Sequence, residues 1–193
     1  MFNVLKRFID FVIAALCLVV FSPLILACWL AIKIGGGPAI YRQERIGRGG
    51  RPFYIYKFRS MVVDAEKEGA ELLQQPDDPR LTRIGRFLRA HHLDELPQLW
   101  NVLTGDMAFV GPRPERKYYI DQIMARDSRY ERLYVLRPGV TSYATLKNGY
   151  TDTIDKMIRR LEMDLYYLEH QSLWMDAKIL WKTFADIVSG KIF

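Results

Sequence analysis

From Phe11 to Ile32 the chain runs 22 residues without a charge, and Pro23 stands in the middle of that run. Coiled as a helix, 22 residues reach about 33 Å, enough for a hydrocarbon core of about 30 Å. A proline inside a helix offers no N–H to the carbonyl four residues earlier, here Val19, and its ring crowds the same turn. Lipid supplies no water to satisfy a freed carbonyl, so a break at this depth needs a local donor. Ser22 is the expected one, bonding back to the carbonyl of Leu18. Lys6 and Arg7 precede the run, and Lys33, Arg42, Arg45, Arg48 and Arg51 follow it. Basic flanks favour the cytoplasmic side, and here both ends ask for it. Two readings stay open on these residues: a re-entrant helix that turns back at Ser22-Pro23, and a kinked spanning helix oriented by the downstream cluster.

The charge of the whole chain, +6 over 193 residues, is unevenly placed. Residues 1–60 hold nine Lys and Arg against two acids, whereas the remaining 133 hold 19 against 20. The basic excess therefore lies beside the apolar run, the pattern of a stretch held against anionic lipid or phosphate rather than nucleic acid. Cys17 and Cys28 both lie inside the run. Eleven helical residues separate them by about 16 Å, too far for a disulfide, so a reducing cytoplasm fits. The run also exceeds the h-region of a secretory leader, and an uncleaved segment is expected.

Beyond it, Ala39–Arg45 and Pro52–Phe58 are β-rich runs around a Gly-rich turn, a hairpin signal. Val62–Leu73 reads as a polar helix, and Leu81–Leu103 as an interrupted helical stretch. Arg80, Arg83, Arg86 and Arg89 recur every three residues, along one side of a helix. Tyr118–Leu136, Ile154–His170 and Leu173–Val188 are also expected helices. In the last, Leu173, Ala177, Leu180, Phe184 and Ile187 form an apolar face attributed to core packing, with Trp174 and Trp181 on its shoulder as candidate membrane-interface residues. The expected fold is α+β and predominantly helical: a membrane segment over residues 1–35, then one domain over 36–193 with a short hairpin and amphipathic interfacial helices.

Chemistry concentrates in "RAHHLDELPQLWNVLTGDMAFVGPRPE". Asp94 reads as an N-cap and Pro97 as a first-turn residue, placing Asp94 and Glu95 at a helix start. Adjacent acids there are commonly plain capping residues. Here Arg89 precedes them, and "GPRP" follows with two prolines stiffening the backbone around Arg113. Carboxylates able to hold Mg²⁺ beside arginines able to grip phosphate suit phosphoryl transfer. His91 and His92 are adjacent and face different ways, and no cysteine lies outside the apolar run, which argues against zinc. The histidines read as surface residues.

Taken together, "KRFIDF" (Lys6–Phe11), Ser22-Pro23, "QERIG" (Gln43–Gly47), "YKFRSM" (Tyr56–Met61), "DELPQLWNVLTGDM" (Asp94–Met107) and "VGPRP" (Val110–Pro114) resemble the bacterial sugar transferase family, the monotopic phosphoglycosyl transferases. The resemblance covers nearly the whole chain, which is similar in length to the family's minimal core form. It implies transfer of sugar-1-phosphate from a UDP-sugar to polyprenyl (undecaprenyl) phosphate with release of UMP, the first membrane step in assembling a glycan. By the same resemblance Asp94 is the nucleophile, Glu95 its partner at a Mg²⁺ site with Asp94, and Lys57, Arg59, Arg89 and Arg113 surround the phosphates. Pro112 and Pro114 shape the nucleotide side. Ser22-Pro23 becomes a re-entrant break on the cytoplasmic face of the inner membrane, leaving Lys6 and Arg7 among the headgroups.

Two departures stand out. His92 replaces the usual small hydroxyl residue, and "PGVTSYATLKNG" replaces the usual Gly-Trp-Ala-Gln around Ser142–Thr145, so the donor sugar and the glycan made stay open. So does the oligomeric state, a homodimer being compatible. The alternative function is a membrane-tethered module that binds nucleotide or lipid without catalysis, which gives Asp94-Glu95 no purpose.

Overall fold

The computed structural model describes residues 2–63, 65, 78–148, 151 and 153–189. Phe2–Val20 forms helix α1 and Ser22–Ile34 forms helix α2, with Phe21 alone between them. The two axes bend by 61° at the break. Among the described residues no single helix is long and apolar enough to cross a membrane, whereas α1 and α2 together have the length and composition. The break differs from expectation in two details. Pro23 falls in the first turn of α2, where N–H groups have no intrahelical acceptor and proline is well tolerated. Ser22 Oγ donates to Val19 O at 2.7 Å, the carbonyl that Pro23 leaves open, rather than to Leu18.

Each half of the broken helix buries only a narrow stripe. Ala14 of α1 packs with Ile55, Val102 and Met107, and Cys28 and Ile32 of α2 pack with Ala39, Phe58 and Leu88. Val4, Phe8, Leu16, Val19, Val20, Leu26 and Ile34 are all more than half exposed. Exposed apolar side chains in this number along two helices fit a contact with membrane or protein.

The hairpin follows the sequence reading to within a residue. Strand β1 (Ile40–Ile46) pairs antiparallel with β2 (Pro52–Phe58), Ile40 opposite Phe58 and Ile46 opposite Pro52. Gly49 and Gly50 turn the chain at φ 72° and 69°, a region glycine enters without steric cost. The free edge of β2 is closed by a side chain instead of a third strand. Asn101, fully buried on helix α4 (Gln98–Thr104), accepts from Tyr56 N at 3.0 Å and donates to Tyr54 O at 2.7 Å.

The interrupted helical stretch resolves into helix α3 (Arg83–Ala90), a three-residue 3₁₀ turn (Leu93–Glu95) and α4. Thr82 caps α3 by accepting from Gly85 N at 2.9 Å. Arg80 stays outside that helix and pairs with Asp78, so the arginine stripe is Arg83, Arg86 and Arg89 only. The helix expected over Val62–Leu73 falls almost wholly outside the described residues.

Helix α5 (Lys117–Arg126) stops ten residues short of its expected end at Leu136. Asp127 turns out of helical geometry and accepts from Arg129 N, opening a 3₁₀ segment over Ser128–Val135. Such side-chain bonds to the local backbone compete with helix continuation. Helix α6 (Thr145–Asn148) is short, while α7 (Ile154–His170) and α8 (Leu173–Val188) match the expected spans. A core of Tyr119, Ile120, Ile123, Leu133, Met157, Leu161 and Leu165 joins α5, the 3₁₀ segment and α7. Strands β3 (Ala108–Val110) and β4 (Gly139–Thr141) pair in parallel, each too short to show a period in the sequence.

Helix α8 is turned away from its expected orientation. Asp176, Ile179 and Asp186 point inward, while Leu173, Phe184 and Ile187 of the supposed core face are 37%, 60% and 39% exposed. Trp174 and Trp181 are exposed beside them. The inward face is stabilised by polar partners from far along the chain. Asp176 takes Lys6 at 2.5 Å and the Tyr167 hydroxyl at 2.6 Å. Lys6 is therefore mostly buried instead of lying among lipid headgroups. So is the head of Arg7, which donates to Val102 O at 2.5 Å and Leu103 O at 2.8 Å and thereby caps the carboxyl end of α4.

Candidate active site

Asp94 and Glu95 sit on the 3₁₀ turn between α3 and α4. Asp94 is not an N-cap, because Pro97 holds that position in α4. A three-residue turn supplies little of the dipole expected at a long helix start. The chain enters the turn through His92 at φ 55°, the one non-glycine residue at positive φ among the described residues. Histidine tolerates that region better than most side chains. His91 is exposed and packs on Phe87, as a surface residue would, whereas His92 is half-buried beside the carboxylates.

The two acids share much of their surroundings but are shifted in opposite directions. Asp94 is only 7% exposed. Burial pushes its carboxyl above the ordinary aspartate range, with Lys57, Arg89 and His92 pulling back and Glu95 adding to the rise. Burial acts on Glu95 in the same sense. Lys57, Arg113 and His92 outweigh it there and hold Glu95 at about 2, fully ionised. Lys57 Nζ, from β2, donates to Glu95 Oε1 at 2.6 Å, and Arg113 Nη2 stands 3.8 Å from the same oxygen.

The other expected site residues divide. Arg89 Nε donates to Ser60 Oγ at 2.8 Å, which aims its charge toward Asp94. Arg59 turns elsewhere, donating to Pro38 O at 3.0 Å and lying 5.7 Å over the Tyr41 ring. Pro112 and Pro114 are buried and hold a half-exposed Arg113 between them. Ser22 and Pro23 are exposed at the bend. Ser60, the support of Arg89, was missed because a lone serine after a strand has no spacing signal. In the sequence Arg45 is only one of the basic residues after the apolar run, and its half-buried place beside the buried Glu115 and Arg160 is set by the fold alone.

Among the described residues no three His, Cys, Asp or Glu side chains gather as a metal cage. Magnesium does not need one, since it commonly uses one or two carboxylates and takes its other oxygens from water and substrate phosphates. The ionised Glu95 beside Asp94 fits that donor set. A buried carboxylate, an ionised neighbour and three cations suit the handling of a phosphate-bearing group.

The sequence profile of the bacterial sugar transferase family matches residues 1–190. The chain is 44% identical over 188 residues to the UDP-glucose:undecaprenyl-phosphate glucose-1-phosphate transferase of Caulobacter vibrioides, covering 95% of this chain and 70% of that protein. It is 41% identical over 187 residues to the UDP-N-acetylgalactosamine-undecaprenyl-phosphate N-acetylgalactosaminephosphotransferase of Aeromonas hydrophila, covering 96% of this chain and 44% of that one. Against the UDP-glucose:undecaprenyl-phosphate glucose-1-phosphate transferase of Escherichia coli it is 42% identical, covering 94% and 39%. The chain thus spans less than half the length of the last two. It belongs to the bacterial sugar transferase family.

Proposed function

We propose that this chain transfers a sugar-1-phosphate from a UDP-sugar to undecaprenyl phosphate, releasing UMP, at the cytoplasmic face of the bacterial inner membrane. The names of its relatives support the substrate classes, and their differing sugars leave the donor open. One observation carries the reading beyond the names. Leu93 and Leu96, which flank the Asp94-Glu95 pair, pack in the same cluster as Ile25, Cys28 and Ile32 of α2. The carboxylates are thus mounted directly on the broken apolar helix. A lipid-linked phosphate has its charged head at the membrane surface, where a site built this way can meet it. The exposed apolar residues of α1 and α2, with Trp174 and Trp181, supply the surface for lipid.

The Asp94 carboxylate attacks the phosphorus bearing the sugar, the phosphorus–oxygen bond to UMP breaks, and UMP leaves with the electron pair. The resulting acyl phosphate is attacked by an oxygen of undecaprenyl phosphate, which takes the sugar-phosphate and frees Asp94. Two easier displacements replace one difficult transfer. Burial keeps water from the acyl phosphate and makes the ionised carboxylate more basic. Lys57 and Arg113 hold Glu95 ionised and are placed to balance phosphate charge, with Arg89 acting from the Ser60 side. Magnesium, held by Glu95 and Asp94 with the substrate's phosphates, would supply further charge neutralisation.

Asp94→Asn keeps shape and removes the nucleophile, so turnover should fall to background in a folded protein. Wild type incubated with UDP-sugar alone should yield a phosphosugar adduct on Asp94 by mass spectrometry. It should also exchange labelled UMP into UDP-sugar without the lipid, and EDTA should stop that exchange. An adduct on Glu95, or exchange that requires undecaprenyl phosphate, refutes the covalent route. Absence of any UMP release with the full substrate set, over a panel of UDP-sugars, leaves the binding-module reading instead.

A further inference from the structure

Arg113 lies between two prolines, so the backbone on either side of it has no N–H with which to be held. With one N–H left in three residues, that of Arg113, the segment is held mainly through its carbonyls and its neighbours. Upstream, Gly111 N donates to Thr141 O at 3.1 Å and Gly139 N donates to Pro112 O at 2.9 Å. The approach is close enough that a Cβ on Gly139 would stand 2.2 Å from Gly111 N. Downstream, Arg45 Nη1 donates to Pro114 O at 3.1 Å, and Ile46 N donates to Glu115 O at 3.0 Å.

Behind this second clamp lies a buried set of ionisable residues. Glu115 is 5% exposed and bonds to Arg160 of α7, also 5% exposed, while Arg45 Nη1 stands 3.7 Å away. Asp164 is one turn further along α7 and equally enclosed. Burying charges so densely is a poor way to stabilise a fold, because apolar residues of similar volume often do as well or better. What apolar residues cannot supply is a directed bond to the Pro114 carbonyl and a fixed path for the chain leaving Arg113.

We infer that Arg45, with Glu115 and Arg160 behind it, is a positioning residue that holds the Pro112-Arg113-Pro114 segment so that Arg113 faces the donor's phosphates. The inference rests on the proposed transfer from a UDP-sugar for the identity of those phosphates. The mechanical part, that this network immobilises Arg113, does not depend on it.

Two measurements keep the parts separate. The first uses a nitroxide attached at Arg113→Cys in a chain with Cys17→Ser and Cys28→Ala. Its spectrum should be broad with the native network and should narrow when Arg45→Lys is added, because lysine keeps the charge but loses the planar fork that reaches Pro114 O. The second is steady-state kinetics on the chain with native Arg113. Arg45→Lys should raise the KM for UDP-sugar about tenfold with kcat changed much less, and in an Arg113→Ala background it should add almost nothing. The paired change Glu115→Met with Arg160→Met removes one charge of each sign and leaves Arg45 without its carboxylate support, so the variant, once its melting curve shows that it folds, should show the same rise in KM. An unchanged nitroxide spectrum overturns the inference. So does a wild-type KM in the folded paired variant, or an Arg45→Lys effect that multiplies fully with Arg113→Ala. If the spectrum responds but wild type releases no UMP from any UDP-sugar, the clamp stands and the proposed reaction falls.

Discussion

Lys6 and Asp176 lie 170 positions apart and meet at 2.5 Å, tying the start of α1 to the first turns of α8. Both side chains are largely buried, with 14% and 9% exposure. Asp10 Oδ2 stands 3.9 Å from the same ammonium, so a single cation faces two carboxylates. The broken helix is therefore latched to the domain by charge at one end and by Cys28 and Ile32 at the other.

Removing that cation should be costly. Lys6→Met leaves Asp10 and Asp176 facing each other without their shared ammonium. Asp176 keeps the Tyr167 hydroxyl, and Asp10 keeps the Phe109 backbone and the more distant Arg7. Losing one partner of a buried pair costs about 3–5 kcal/mol. Thermal melting in detergent or nanodiscs should show a large drop. Adding Asp176→Asn should recover part of it, since the amide can still accept from Tyr167. A Lys6→Met protein that melts with wild type would mean the latch carries no stability.

Topology is tested by reagent access. In a chain with Cys17→Ser and Cys28→Ser, Asn3→Cys should resist a membrane-impermeant thiol reagent in intact cells and react after lysis. Both ends of the broken helix then face the cytoplasm. Reaction in intact cells, with the rest of the chain still shielded, means that α1 and α2 cross the membrane. Pro23→Ala with Ser22→Ala should shift the pattern toward crossing, because it returns an N–H to Val19 O and removes the hydroxyl that now satisfies it.

Gly85 is the point where α3 touches the chain that supports Arg89. A Cβ there would stand 1.8 Å from Ser60 O and 2.5 Å from Ser60 Cα, so the backbone must move. Gly85→Ala should cost about 1–3 kcal/mol in stability. Because Ser60 Oγ is the partner of Arg89, kcat/KM should also fall by about tenfold or more, about 1.4 kcal/mol in the barrier. Ser60→Ala removes the hydrogen bond without the clash and should lower activity while melting close to wild type. Equal activity in both variants and wild type would disconnect Arg89 from the reaction.

The Asp164 carboxyl is pushed up to about 7, chiefly by burial, with Arg160 pulling it down and Glu115 pushing it up. An unfolded aspartate titrates near 3.9, so between these values the folded chain holds a proton that the unfolded chain has lost. Its contribution is complete below about pH 4 and disappears as pH rises through about 7. From pH 6 to pH 8 it should fall by about 1.4 kcal/mol, one pKa unit's worth. Asp164→Asn should remove that slope, so wild type and variant diverge in melting temperature across this range. Parallel profiles would mean that Asp164 is already ionised at pH 6.

The sequence by itself determined the elements whose cause is local. The break needs only Ser22 and Pro23, the hairpin needs alternation around Gly49 and Gly50, and α7 and α8 need caps at Thr153 and Ser172 followed by helix formers. The Asp94-Glu95 pair was readable because its chemistry lies in adjacent residues, and Lys57 and Arg113 because distinctive motifs carry them. Only the tertiary structure decided which face of α8 turns inward. Its apolar residues pointed to a core, but Asp176 is drawn in by Lys6 and Tyr167, and a buried charge is tolerable only where its partner is already waiting. The same holds for Arg7 on the end of α4, for the parallel pairing of β3 with β4, and for Arg45, Glu115 and Arg160 behind Arg113. Propensity and periodicity act over a few residues, whereas the partners that make a buried polar group affordable come from anywhere in the chain.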